Sequence, residues 1–553
     1  MTSSTTGGAR ALTLYRNGSV YSAADPFATA MLVDRDTVAW IGSEQAATSI
    51  QDDKMDVVDL QGAPVAPGFV DSHVHVTELG LALTSLDLSG VRSLTELLDA
   101  VAGAAAAQPE GLITGSGWDE SAWPERVFPT AAQLDAASGN RPVYLARADV
   151  HGAVVSGTLA ARLGLSGYDG WEDGFVVRRA HEVARSASRR LDLAQRAHYQ
   201  TAALRHAAAS GMVAVTEMAA PHIAPPEDLR QLLGLEGTLG GQPLPQVLPY
   251  WGQLVQSEAE LQELADLFDG RLLGLAGDLN MDGSIGARTA ALRDPYTDAA
   301  ETTGTQYLTA EQAGRHLELA TRAGLQGGFH VIGDAGMDAV IGGLQAAAEV
   351  LGESTVRAAH HRLEHAELVD DDAVKELVRF GVSLSMQPGF DAAWGGPQGL
   401  YAQRLGDRSG TMIRFASLLS AGVPVSLGSD APVTRLKPWT AVRAAVMHSN
   451  PAERISARAA FIGHTRAGWR SAGERNFMLG QLVPGAPASF AVWEVEELMV
   501  QTPDANVSSW STDPRAGTPL LPALDTGTDP RCLQTVHHGV ELYRAADFAV
   551  NVQ

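Results

Sequence analysis

His73 and His75, in the run PGFVDSHVHV, stand two apart at the end of an apolar, strand-like segment. Residues two apart on a strand face the same way. Both imidazoles can therefore reach one ion, and imidazole suits Zn, Fe, Cu or Ni. An isolated His-x-His is a weak motif, because two unrelated histidines near a surface turn produce it as readily. Three later residues give it weight. His330 ends the strand-like part of LQGGFHVIGDAG, His365 that of HHRLEHAEL, and Asp430 that of VPVSLGSDAPV. Each alone has an ordinary reading, a packed histidine or a helix N-cap aspartate. Together they put metal-ligand side chains at the C-terminal ends of successive strands, where parallel barrels build their active sites.

The surrounding pattern supplies such strands. From about residue 68, apolar runs (GFVDSHV, GLITGSG, PVYLARA, MVAVTEM, RLLGLAGDL, LQGGFHVI, HHRLEHA, VSLSMQP and VPVSLGSD) alternate with Ala/Leu-rich helical stretches such as 93–107, 184–209, 310–323 and 335–351. Alternating strands and helices imply βα units and a parallel sheet. The runs slightly exceed eight, so a (β/α)8 TIM-like barrel is expected, with one or two runs inserted or antiparallel. PQVLPYWG, near residue 250, is a further candidate for an insertion. Before residue 68 and after about 475 the chain reads as short strands around Asn-Gly, Asp and Pro-Gly turns. The expected architecture is a barrel over 68–475 beside a β-sandwich built from residues 1–67 and 476–553.

Composition limits the partners. The 553 residues are 45% hydrophobic, enough for a large core, and carry a net charge of -24. That charge argues against nucleic acid or an anionic membrane as the main partner. The single cysteine, Cys532, excludes an intrachain disulfide and a Cys-based metal site. No secretory signal or membrane-length apolar run is visible, so a cytoplasmic enzyme with a small-molecule substrate is expected.

The run VAPGFVDSHVH after an N-terminal β-region resembles the amidohydrolase superfamily. GWDESAW, RADVHGAVVSG, DGSIGARTAAL, HVIGDAG, RLEHAEL, SMQPGF and GSDAPV are similar to its YtcJ-like branch, amidohydrolase family 3, which includes N-substituted formamide deformylases. The resemblance spans about residues 10–545. It implies one or two divalent ions, zinc being the expected metal, held by His73, His75, His330, His365 and Asp430. Zinc lowers the pKa of water it holds to about 7. Asp430 would accept that water's proton and return it to the leaving nitrogen, with His365 as a ligand or as a hydrogen-bonding group to water or substrate. A homodimer is implied by the resemblance alone.

One position departs from the family. Many members carry a lysine, which can be carboxylated to bridge two ions, four residues before the Asp-Gly of the DGS motif; this chain has Asp278. An aspartate would fall roughly 5 Å short of the same point unless the backbone moved inward. The departure favours one ion, or a bridge by Asp278 or Glu217 in another geometry. Trp118, His151 and Phe390 are the substrate-binding candidates, with Trp123, Trp394 and Arg147 near them in sequence. Asp282 is expected to shape a turn, Arg288 to anchor its own loop, Asp334 to cap a helix, and His537 and His538 to lie on a solvated face. Three functions stay open: hydrolysis of a non-peptide C–N bond in a small-molecule amide, including N-substituted formamides; single-metal deamination of an aminated ring; and non-catalytic binding on the same barrel.

Overall fold

The computed structural model describes residues 12–107, 111–120, 123–147, 152–235, 242–499, 519–525 and 528–548. The chain divides into two units, residues 1–76 with 204–553, and residues 77–203. In the larger unit eight parallel strands form one sheet: β1 (Phe69–Val74), β2 (Met212–Ala219), β3 (Gln246–Trp251), β4 (Gly274–Leu275), β5 (Gln326–Val331), β6 (Arg362–His365), β7 (Ser383–Met386) and β8 (Val425–Leu427). The sheet closes on itself just beyond the strand ends. Val74 bridges Ala431, the Asp430 N–H donates to the His73 carbonyl at 2.8 Å, and the His75 N–H donates to the Ala431 carbonyl at 3.0 Å. This is the expected (β/α)8 barrel.

PQVLPYWG is β3, a barrel strand paired with β2 and β4 rather than an insertion. Pro249 has no N–H to give a neighbour, which weakens the strand signature of a segment the sheet nevertheless uses. Conversely, GLITGSG and PVYLARA lie in the 77–203 unit. There, strands 86–87, 113–118 and 143–147 run parallel, and 152–155, 175–177 and 171–172 continue the sheet antiparallel. This unit has its own core, containing Leu97, Trp118, Trp123, Leu145 and Val154.

The two ends of the chain do pair. Strands 19–20 and 64–67 share a five-stranded sheet with 490–494, 531–537 and 540–544. It packs on a four-stranded sheet of 12–16, 30–34, 37–42 and 55–59 through one core that includes Tyr15, Met31, Val65, Phe490 and Val536. His538 is exposed, but His537 departs from the expected solvated face. It is half-buried, stacked on Trp469, and hydrogen-bonded to Ser489 and Gln246. Its ring bridges the sandwich to the start of β3.

Candidate metal centre

The barrel brings His73, His75, His330, His365 and Asp430 to one end. His73 and His75 follow one another at the end of β1, and their rings lie 5.3 Å apart. His330 and His365 come from β5 and β6, with ring centroids 4.4 Å apart. Asp430 follows β8. His365 (φ +70°) and Asp430 (φ +54°) adopt left-handed backbone conformations. Non-glycine residues are rarely held there, and surrounding contacts must enforce it.

Asp278 is the sixth member. Its carboxylate lies 3.5 Å from His73 Nε2, 3.3 Å from His75 Nε2, 3.9 Å from His330 Nδ1 and 4.0 Å from His365 Nε2. The expected shortfall is absent because the backbone supplies the reach. β4 stops at Leu275, Gly277 kinks the chain at φ +82°, and the strand resumes alongside β5 at Asn280. Gly252, just past β3, admits the Asp278 backbone; a Cβ there would sit 2.6 Å from the Asp278 carbonyl carbon.

The donor set fits a divalent ion. His73 Nε2, Asp278 Oδ1 and Asp430 Oδ1 are buried without hydrogen-bond partners, and His75 Nε2 faces both carboxylates. Asp430 Oδ1 stands 3.5 Å from His73 Nε2 and 3.2 Å from His75 Nε2. Ligands at about 2.0–2.1 Å around a tetrahedral ion sit roughly 3.3 Å apart, so these spacings match. Three close triads form: His73, His365 and Asp430; His73, His75 and Asp278; and Asp278, His330 and His365. Asp278 belongs to two of them. Glu217 belongs to none among the described residues. Its Oε2 accepts the Val76 N–H at 2.7 Å, which fixes the chain just beyond His75, and burial pushes its pKa up to about 7.

Electrostatics favour cations here. Burial alone would raise the Asp278 and Asp430 carboxyls, yet His73 and the neighbouring histidines hold both below the usual range. Burial alone would lower His75 and His365, yet the two carboxylates raise them to about 10 and about 9. In the metal-free protein the carboxylates thus keep protons on these rings, and a bound ion would displace them.

The supporting residues were not anticipated from the sequence. Glu364, fully buried, accepts from His73 Nδ1 at 3.0 Å and is clamped by Arg362. Burial raises its pKa, but Arg362 and His73 bring it down to about 2. This carboxylate fixes the tautomer that leaves His73 Nε2 for an ion. Gln387 likewise receives His365 Nδ1 at 2.8 Å, and the Gly283 carbonyl lies 3.3 Å from His330 Nε2. The available signal was Arg362 and Glu364 alternating on one face of the strand that ends in His365.

Beside these groups lies a cavity of about 380 Å3 walled by Ile285, Ile332, Phe390, Trp394, Leu400 and Val433. Phe390 stacks on His365 with ring centroids 5.8 Å apart. Trp118 is fully buried in the core of the 77–203 unit, its indole N–H donating to Leu145. His151 lies outside the described residues. Asp282 accepts the backbone N–H groups of Ala291, Ile332 and Gly333, and Arg288 pairs with Asp298. Asp334 opens the helix 334–351, whose N-cap is Gly333 rather than the aspartate; Asp334 instead accepts the Arg293 N–H.

The sequence pattern of the amidohydrolase family matches residues 56–543. The chain belongs to the amidohydrolase family. Among its relatives, YtcJ of Bacillus subtilis is 26% identical over 72% of this chain and 75% of its own. An N-substituted formamide deformylase of Arthrobacter pascens is 24% identical over 77% and 82%. An uncharacterised metal-dependent hydrolase from Pyrococcus furiosus superposes with a TM-score of 0.71 at 28% identity, over 87% of this chain and 98% of that one. This amidohydrolase is thus a metal-dependent hydrolase in family and fold. Among the described residues, no helix is long and apolar enough to cross a membrane.

Proposed function

We propose that this amidohydrolase hydrolyses a non-peptide C–N bond in a small neutral amide, with N-substituted formamides inside the class. The observation that carries the reading is the set of unpartnered His and Asp atoms facing one another beside an apolar cavity. Zinc is the expected ion, held by His73, His75, His330, His365 and Asp430. Asp278, shared by two triads, would let the site hold a second ion. Such ions supply Lewis acidity toward a carbonyl and make water a stronger acid. Asp430 accepts the proton of the attacking water and returns it to the departing nitrogen. His365, fixed through Nδ1 by Gln387 and covered by Phe390, presents Nε2 to the ligand cluster. The products are a carboxylic acid, formic acid for a formamide, and an amine.

The test is metal analysis of reconstituted protein together with a panel of formamides, other amides and aminated rings. Bound transition metal with acid and amine release is expected. Ammonia release from rings with one ion per chain would transfer the site to deamination. Absence of both metal and turnover would leave a binding protein.

A further inference from the structure

The apolar wall of the cavity is interrupted by one carboxyl group outside the ligand triads. Glu367 lies two residues beyond His365, is 4% exposed, and lines the cavity. The Tyr401 side chain lines the cavity beside it, and its Oε2 has no hydrogen-bond partner. A buried acceptor left unpaired is unfavourable unless something supplies a donor. The nearby wall is mostly carbon, from Ile285, Ile332, Phe390, Leu400 and Val433, and neither the Trp394 indole nor the Ser284 hydroxyl that also line it hydrogen-bonds to Oε2. Among the described residues lining the cavity none is Lys or Arg.

We propose that Glu367 is a specificity-determining residue: its free oxygen accepts a hydrogen bond from an N–H or O–H group on the apolar arm of the substrate. The substrate class is then an aromatic or branched-aliphatic amide carrying an amine or hydroxyl donor. An arm that turns a carboxylate toward Glu367 is disfavoured, since two acceptors would then face one another without a donor. This inference rests on the hydrolase reading for the word amide, but not for the recognition itself.

Calorimetric titration of zinc-loaded full-length protein separates the two. The probes are benzamidine, a flat aromatic cation with N–H donors, and toluene, a neutral aromatic ring with none. Wild-type protein is expected to bind benzamidine more tightly. Glu367→Leu should weaken benzamidine about tenfold or more while leaving toluene unchanged or tighter. Glu367→Gln keeps the shape and an acceptor but loses the charge, so it should weaken benzamidine by a smaller factor. It also answers the question if the leucine variant does not fold. Equal benzamidine affinity in wild type and both variants, or in wild type and a folded Glu367→Gln alone, overturns the proposal. Turnover of the amide panel is then read separately. Discrimination that persists without amide hydrolysis defeats the hydrolase reading and leaves this one standing. Hydrolysis without any Glu367 effect does the reverse.

Discussion

In the β-sandwich, buried hydroxyls find acceptors: Ser22 donates to the Leu482 carbonyl and Thr535 to that of Ala208. At the barrel mouth, His73 Nε2, Asp278 Oδ1 and Asp430 Oδ1 are equally buried and find none. The sandwich also rests on a continuous apolar core, with Tyr15 packed edge-on to Phe490 at 5.1 Å. The mouth holds two ligand residues in left-handed backbone conformations. One region is arranged for stability. The other gives up stability to keep donor atoms pointed at one another, as preorganised sites do. Mutations in the two regions should therefore separate activity from folding.

The sharpest break is at Asp430. Asp430→Asn should lower kcat by about 100- to 10,000-fold, with the protein still folded by circular dichroism. A near wild-type rate would remove its proton-transfer role. Phe490→Ala is the mirror image. It should destabilise the protein by about 3–5 kcal/mol, with the specific activity of the folded fraction unchanged in denaturant titrations scored by activity. Glu364→Gln lies between the regions, since it perturbs His73 without removing a ligand. Metal affinity should fall about 10- to 100-fold, measured by competition with a chelator; unaltered affinity would mean His73 is oriented by something else.

The smallest effect is a pH dependence in the barrel body. The Val255 N–H donates to His316 Nδ1, and Nε2 faces the Leu275 carbonyl at 2.8 Å, so the ring is neutral. Burial lowers its pKa from 6.5 to about 4. On acidification the unfolded chain takes up the proton first. Stability is then full above about pH 6.5 and declines as the pH falls toward 4, by about 1 kcal/mol per unit in the window. His316→Gln should flatten the melting-temperature profile between pH 6.5 and 5.5 relative to wild type; parallel profiles would show that His316 is not among the responsible groups.

Much of the site was legible because its signal is local. A ligand-type residue at the end of a strand-like run needs only the run to be recognised, and His73, His75, His330, His365 and Asp430 all stand so. The seven barrel strands read correctly are apolar runs between turns or helices. β3 was misread because Pro249 breaks the local signature while pairing on both sides rescues the strand. Glu364 was missed because its partner, His73, is 291 residues away in sequence. His537 was misread because the ring covering it, Trp469, comes from the barrel side of the chain.

Asp278 marks the boundary between the two kinds of information. The sequence by itself determined the residue types, their order along alternating strands and helices, and hence the barrel and the kind of ion it can hold. It also determined that an aspartate stands where a longer side chain was expected. Only the tertiary structure decided that this aspartate reaches the centre. Its reach depends on the kink at Gly277 and on the open space above Gly252, on the neighbouring strand. Side-chain length is a property of one residue, but where a side chain ends depends on how closely two backbones can approach.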